Sequence, residues 1–223
     1  MSFSYIQGGT GRAAHTLVFL PGWGFDGRVG RYGHWPDDVA VLAPTTFCHA
    51  GLLAELHDYL ASRQRGDIIL VGWSMGAHLA WQFAMTHPER LSFLILLAGR
   101  RCWPHADIEA LKQELAVDRA AFMRDFYRKC FLGHRHLYAS FVKELEGDYL
   151  DRLCSADLAA GLDYLAASPM HGQVPAALPT RVIHGAQDRI APVAERPRLQ
   201  GGADEVIEAA GHLLFAQPLS YER

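Results

Sequence analysis

The sequence contains no hydrophobic run long enough to cross a membrane. Its apolar stretches, such as Leu94–Ala98, are far shorter than the roughly 20 residues that a membrane helix requires. The opening residues Met1–Gly11 lack the basic region and the apolar region of a secretory signal. We therefore expect a cytoplasmic protein with no membrane partner.

Excess positive charge and paired cysteines are also missing. The 223 residues include 21 Lys and Arg against 24 Asp and Glu, a formal net charge of −3, which is not typical of a nucleic-acid-binding protein. The 4 cysteines form no CxxC pair and have no His at a zinc-ligand spacing. We expect no metal, no cofactor and no nucleic-acid partner, and we expect the cysteines to be free, buried thiols.

Short runs of aliphatic and β-branched residues recur along the chain, and each ends at a turn or helix-breaking residue. This pattern predicts buried parallel strands over Thr16–Leu20, Val39–Ala43, Asp67–Val71, Phe93–Leu97 and Arg181–His184. Helical patterns lie between them, with leucines on one face of residues 52–60 and small residues on one face of residues 76–84. Alternating strands and helices predict an α/β fold, a mostly parallel central sheet flanked by helices.

The alternation stops after Gly99 and resumes near Pro179. Residues 100–168 show helical stripes and no convincing strand, which predicts a helical lid inserted into a core formed by residues 1–99 and 169–223. One broad apolar face of this segment combines the side chains of Phe122, Met123, Phe126, Tyr127, Cys130 and Phe131. Such a face could serve packing alone, or it could also line a pocket.

The motif Gly72-Trp73-Ser74-Met75-Gly76 lies directly after a predicted strand and directly before a predicted helix. This is the pattern of a nucleophile elbow, a sharp turn that presents a serine in a strained backbone conformation. Bulky neighbours two residues away would clash in such a turn, which explains glycine at both positions. Ser74 is therefore the candidate nucleophile.

A serine hydroxyl needs a base to accept its proton, and the base needs an acid to orient it. In this arrangement the acid and then the histidine follow the serine along the chain. Asp188 comes after the strand Arg181–His184, and His212 lies near the carboxyl end. Asp204 is a rival acid, but it opens the last strand and would lie at the wrong edge of the sheet.

The negative oxygen of an acyl-transfer intermediate needs two preorganised N–H donors. One should come from the residue after the nucleophile, Met75, and the other from an early loop. Trp23 follows the first predicted strand within Pro21-Gly22-Trp23-Gly24, and the flanking glycines let its backbone approach a substrate closely. The backbone N–H groups of Trp23 and Met75 are the candidate oxyanion hole.

The motifs LPGWGFD, VGWSMG, HGAQDRIAP and AAGH, in this order and spacing, resemble the α/β-hydrolase superfamily over nearly the whole chain. Within it, the Gly-Trp-Gly and Gly-Trp-Ser-Met-Gly segments and THPERL at Thr86–Leu91 resemble the pimeloyl-[acyl-carrier protein] methyl ester esterases of biotin synthesis. Those enzymes release methanol from an ester carried on acyl carrier protein.

This resemblance implies the triad Ser74, Asp188 and His212, with Trp23 and Met75 at the oxyanion hole and in contact with substrate. In that family a lid phenylalanine touches the acyl chain. The stretch Phe126–Gly133 is similar to the corresponding family segment, so the resemblance implies substrate contact by Phe126.

Basic residues are concentrated in the lid segment 119–143. Arg124 and Arg128, one helical turn apart, should point away from the side of Phe122 and Phe126. An outward basic face could dock an acidic carrier protein. Equally, it could be a solvated face balanced by the acidic residues just beyond it.

We therefore expect a serine carboxylesterase that acts through an acyl-enzyme, on pimeloyl-[acyl-carrier protein] methyl ester if the family resemblance extends to the substrate. A general carboxylesterase or a thioesterase on small acyl esters would use the same residues. An acyltransferase would do so as well if the lid excluded water. A non-catalytic binding module on a hydrolase fold is the alternative from another class.

Overall fold

A computed structural model describes residues 3–8, 16–61 and 68–221. Its described part contains a sheet of seven strands in the order β1-β3-β2-β4-β5-β6-β7. The strands are β1 (Phe3–Gln7), β2 (Thr16–Leu20), β3 (Ala40–Pro44), β4 (Ile68–Trp73), β5 (Leu91–Leu97), β6 (Thr180–Gly185) and β7 (Ala203–Ile207). β1 pairs antiparallel with β3, and every other pairing is parallel. The carboxyl ends of the six parallel strands therefore meet at one edge, where such sheets hold their ligands.

The predicted strands are present, with boundaries that differ by at most two residues. β4 and β5 are buried along their whole lengths, as is typical of strands inside a parallel sheet. Asp67, the first residue of one predicted strand, lies outside the described residues. β1 was not predicted, because it is a short edge strand whose Ser4 and Tyr5 are exposed, and it therefore lacks a continuous apolar run.

The described α-helices lie between the strands of the sheet. They are α1 (Leu52–Ala61), α2 (Met75–Thr86), α3 (His105–Val117), α4 (Arg119–Cys130), α5 (Arg135–Phe141), α6 (Gly147–Arg152) and α7 (Ser155–Ala167). α1 buries Leu52, Leu56 and Leu60, as their spacing predicts. α2 packs against β2, β4 and β5, and its small residues permit the close approach. A side chain at Gly76 would overlap the carbonyl group of Leu20.

Helices α3 to α7 all lie between β5 and β6, and we call them the lid helices. The broad apolar face of α4 serves both purposes that the sequence left open. Met123 and Tyr127 are fully buried in the core, whereas Phe122 and Phe126 are only partly buried and line a cavity. A π-helical turn, Val142–Glu146, joins α5 to α6.

The prediction that the cysteines are buried was wrong for three of them. All four are free, but Cys48, Cys102 and Cys154 are exposed and only Cys130 is buried. Cys154 is exposed because it caps α7, where its sulfur accepts a hydrogen bond from the N–H of Asp157. Cys48 and Cys102 lie in the loops after β3 and β5. Loops usually run along the protein surface, which accounts for the exposure of these two side chains.

None of the helices in the described ranges is long and apolar enough to span a bilayer. No group of three or more His, Cys, Asp or Glu side chains there is placed to hold a metal ion.

Candidate active site

Ser74 lies in a sharp turn between β4 and α2. Its φ of 57° and ψ of −118° place it in a backbone region that residues with side chains rarely adopt. The Ser74 N–H donates a 2.8 Å hydrogen bond to the carbonyl of Leu97, at the end of β5. The neighbouring strand therefore holds the strained turn at the carboxyl edge of the sheet.

The glycines on either side of this turn are required by space. A side chain at Gly72 would overlap the carbonyl of Gly76, and one at Gly76 would overlap the carbonyl of Leu20. These are contacts with backbone atoms, which cannot move aside as a flexible side chain can. The Gly-x-Ser-x-Gly spacing thus follows from the packing of α2 against the sheet.

Asp188 and His212 meet at the same edge of the sheet. Asp188 lies in the loop after β6, and His212 lies in the loop after β7. The Nδ1 atom of His212 is 2.7 Å from Oδ2 of Asp188, and both side chains are buried. This contact favours the imidazole tautomer that carries its proton on Nδ1 and leaves Nε2 free to accept one.

The surrounding loop keeps Asp188 ionised. Its Oδ1 accepts hydrogen bonds from the N–H groups of Ile190 at 2.8 Å and Ala191 at 2.9 Å. Burial alone would raise the pKa of Asp188, but His212 and these two N–H groups together lower the pKa below its usual value. The carboxylate is therefore charged at neutral pH and can stabilise an imidazolium.

The rival acid Asp204 is placed elsewhere. It lies in β7, where its carboxylate forms an ion pair with Arg196 at 2.9 Å. Asp188, and not Asp204, is hydrogen-bonded to His212.

The free ring nitrogen of His212 is set up to accept a proton. Its Nε2 is buried and makes no hydrogen bond with any described residue. Ser74 is therefore not hydrogen-bonded to His212 in this arrangement. Such contacts are often long in ligand-free enzymes and tighten when substrate binds.

The loop that follows β2 lies directly against the serine. A Cβ atom at Gly22 would lie 3.1 Å from Cβ of Ser74, so the next residue, Trp23, is beside the candidate nucleophile. On the other side, Met75 is the first residue of α2, and N–H groups in the first turn of a helix lack partners within the helix. The two predicted oxyanion donors thus flank Ser74.

A cavity of about 540 Å³ opens onto Ser74. Its apolar walls come from the early loop, the loop between β5 and α3, the lid helices and the Asp188 loop. They comprise Trp23, Trp103, Leu111, Val117, Ala121, Phe122, Phe126, Leu162, Leu165 and Ile190. The ring of Phe126 meets that of Trp23 edge to face, with centroids 5.0 Å apart. An apolar chain attached to a carbonyl at Ser74 would extend along these walls.

Residues 17–221 match the sequence profile of the alpha/beta hydrolase family. The chain belongs to that family.

Within the family, this hydrolase is similar in sequence to curated pimeloyl-[acyl-carrier protein] methyl ester esterases. It is 29% identical to the pimeloyl-[acyl-carrier protein] methyl ester esterase of Aeromonas hydrophila subsp. hydrophila, over 89% of this chain and 89% of the relative. It is 27% identical to the enzyme of the same name from Aromatoleum aromaticum, over 80% and 81% of the two chains.

A solved structure shows the same fold. The esterase of Exiguobacterium antarcticum superimposes with a TM-score of 0.72 at 15% identity, over 96% of this chain and 89% of that one. At this identity the likeness concerns the fold alone.

The two arginines singled out in the lid lie on the outer face of α4. Arg124 is 3.8 Å from a carboxylate oxygen of Glu146, and Arg128 forms an ion pair with Asp125. Both side chains are more than half exposed. Arg119 differs from them, because it turns inward and donates to the carbonyls of Leu150 and Leu153. Part of the positive charge is thus balanced within the hydrolase.

Sequence reasoning missed three residues of the site. The Trp73 indole donates to the His212 carbonyl at 2.7 Å, and the Tyr127 hydroxyl donates to the Gly24 carbonyl at 2.9 Å. His184 lies 3.6 Å from the Asp188 carboxylate. Trp73 is part of the serine motif, so its position next to Ser74 could have marked it as a residue of the site.

Proposed function

We propose that this hydrolase is a serine carboxylesterase that cleaves its ester through an acyl-enzyme. The observation that carries the proposal is the buried Asp188–His212 pair at the sheet edge, with Nε2 of the histidine free and Ser74 in a strained turn at the cavity wall. This combination suits nucleophilic acyl transfer.

In the first half of the reaction, the Ser74 oxygen attacks the ester carbonyl carbon while Nε2 of His212 takes the hydroxyl proton. Asp188 holds the ring and stabilises its positive charge. The carbonyl oxygen becomes negative, and the backbone N–H groups of Trp23 and Met75 stabilise it. When the tetrahedral intermediate collapses, the alcohol leaves with the proton that His212 returns, and the acyl group remains on Ser74.

In the second half, water attacks the acyl-enzyme. His212 removes a proton from this water, and the same donors hold the second tetrahedral intermediate. Collapse breaks the bond to Ser74, whose oxygen recovers a proton from His212, and the carboxylic acid departs.

We further propose pimeloyl-[acyl-carrier protein] methyl ester as the substrate. Similarity to esterases of that name over most of both chains supports this choice. The apolar cavity beside Ser74 suits an aliphatic acyl chain, and we assign Phe126 to contact with that chain because its ring packs on Trp23 in the cavity wall.

The outward face of α4 is our proposed dock for the carrier protein, and the lid of residues 100–168 would then connect dock and active site. Arg124 and Arg128 are exposed cations on this face. Complementary charge mainly accelerates encounter and selects the partner. Reversal of both charges should therefore slow turnover of the carrier-bound substrate and leave turnover of free esters unchanged.

The test compares turnover of pimeloyl-carrier-protein methyl ester with that of p-nitrophenyl esters of increasing chain length. It uses the wild type and the double variant Arg124→Glu with Arg128→Glu. The matched control reverses Arg101 and Arg198, which are exposed and form no ion pair with any described residue.

We expect the wild type and the Arg101 and Arg198 control to prefer the carrier substrate, and the Arg124→Glu, Arg128→Glu variant to lose that preference. If small esters or thioesters are hydrolysed equally well and the reversals change nothing, the hydrolase is a general carboxylesterase or thioesterase. If no ester is turned over, a binding module is the better account.

A further inference from the structure

The loop that carries Trp23 is held by the lid through four consecutive residues. The Trp23 indole donates to the carbonyl of Leu158 in α7 at 2.8 Å. The Gly24 carbonyl accepts a 2.9 Å hydrogen bond from the hydroxyl of Tyr127 in α4. The next two residues, Phe25 and Asp26, also contact lid side chains.

The contact through Tyr127 reaches the loop backbone itself. The Tyr127 side chain is completely buried, and its hydroxyl fixes the orientation of the peptide that follows Gly24. This glycine has a φ of +74°, and a side chain there would overlap Met123 of α4. A buried carbonyl that loses its donor is costly, so the lid strongly favours one conformation of this turn.

Asp26 forms a second polar link, to α6. Its carboxylate accepts a 2.6 Å hydrogen bond from the Tyr149 hydroxyl, and both side chains are buried. Burial and the nearby Asp26 raise the pKa of the Tyr149 phenol well above its usual value. The phenol therefore remains a hydrogen-bond donor throughout the neutral pH range.

Close packing joins the same two parts of the molecule. The ring of Phe25 lies 5.0 Å from that of Tyr127 and 5.9 Å from that of Phe141. In α7, a side chain at Gly161 would overlap the indole of Trp23. Glycine at this position allows the indole to reach the Leu158 carbonyl.

The other proposed oxyanion donor is held differently. Met75 begins α2 directly after the turn at Ser74, and that turn is bonded to β5 through the hydrogen bond from Ser74 to Leu97. One donor is thus fixed by the sheet and the other by a loop that the lid contacts. A displacement of the lid would move Trp23 relative to Met75.

We propose that the lid assembles the oxyanion hole, with Tyr127 as the positioning residue that aligns the Trp23 loop. The inference rests on the proposed serine mechanism. Its consequence is that lid packing controls the chemical step, because the two donors are aligned only while α4, α6 and α7 hold the loop. Preorganised donors are worth large factors in rate, and a displacement of about 1 Å can cost about a hundredfold.

The test is Tyr127→Phe, which keeps the ring and removes only the hydroxyl. We expect kcat on a p-nitrophenyl ester to fall about tenfold or more with KM changed less than about twofold. The inhibition constant of a trifluoromethyl ketone, whose adduct with serine carries the oxyanion, should rise by the factor lost in kcat/KM. A merely structural role would not produce this match.

The matched control is Tyr164→Phe. Tyr164 is also a lid tyrosine, but its hydroxyl donates to Gln82 of α2 at 3.0 Å, away from the Trp23 loop. We expect this control to keep its kcat. Tyr149→Phe should change kcat in the same direction as Tyr127→Phe, and it provides the test if Tyr127→Phe fails to fold.

The proposal is overturned if Tyr127→Phe and Tyr149→Phe both keep the wild-type kcat. It is also overturned if kcat falls as much in Tyr164→Phe as in Tyr127→Phe. Ser74→Ala distinguishes this failure from that of the proposed mechanism. If Ser74→Ala is inactive while the tyrosine variants match the wild type, the mechanism stands and the positioning role is wrong. If Ser74→Ala retains full activity, the serine mechanism is wrong.

Discussion

The indole N–H of Trp73 donates a 2.7 Å hydrogen bond to the backbone carbonyl of His212. Trp73 immediately precedes the candidate nucleophile, so the strand that presents the serine also holds the histidine. The rings of Trp73 and His212 are 5.2 Å apart, and Trp73 is completely buried. The distance between nucleophile and base is thus governed partly by one side chain.

Replacement of Trp73 should therefore reduce activity. In Trp73→Phe the His212 carbonyl loses its donor, and we expect kcat/KM for esters to fall on the order of tenfold through misplacement of the base. Kinetics on a p-nitrophenyl ester measure this. Trp35→Phe is the control, because its buried indole donates to Gly30 at 2.7 Å, outside the site. Equal activity of the two variants would contradict the role of Trp73.

Stability should depend on pH through His78 of α2. Its Nδ1 is 2.6 Å from the carbonyl of Ser168, the last residue of the lid, and burial lowers the pKa of His78 to about 4. Below pH 6.5 the unfolded chain binds a proton that the folded chain does not, so stability falls as the pH drops towards 4. We therefore expect a loss of about 2 kcal/mol in the free energy of unfolding between pH 7 and pH 5.

His78→Asn removes this titration and keeps a donor near the position of Nδ1. Urea unfolding at pH 7 and pH 5 should show a smaller loss of stability in this variant than in the wild type. His136→Asn, at an exposed position of α5, should behave as the wild type does. The assignment fails if His78→Asn loses as much stability as the wild type between the two pH values.

Two glycine substitutions should have opposite effects on stability. In Gly76→Ala the new methyl group would overlap the Leu20 carbonyl, so we expect a loss on the order of 3 kcal/mol. Gly147 has helical dihedral angles and open space around it, so Gly147→Ala should gain roughly 0.5–1 kcal/mol. Urea denaturation measures both. A stable Gly76→Ala would contradict the close packing of α2 on β2.

Phe126 should determine which acyl chains fit. Phe126→Ala enlarges the cavity beside Trp23, so we expect the preference among p-nitrophenyl esters to shift towards longer chains. Phe126→Leu keeps most of the volume and should shift it less. An unchanged chain-length profile in Phe126→Ala would place the acyl chain elsewhere.

The central strands and the serine turn could be predicted because their constraints are local. β4 and β5 are buried on both faces, so their apolar runs are continuous. The glycines around Ser74 are required by its turn, and they mark it in the sequence. β1 could not be found in this way, because it is a half-exposed strand at the sheet edge.

The remaining features depend on contacts between distant parts of the chain. Tyr127 carried no signal beyond its place on an apolar face, and its hydroxyl meets Gly24 only through the fold. The same holds for His184 beside Asp188. The exposure of Cys102 also follows from the path of its loop, which residue type does not reveal.

Reaction with a fluorophosphonate probe, followed by location of the adduct by mass spectrometry, tests the central claim most directly. We predict one adduct on Ser74, no adduct in Ser74→Ala, and loss of ester hydrolysis in that variant. An adduct at another residue, or full hydrolysis by Ser74→Ala, would contradict the assignment of Ser74 as the nucleophile.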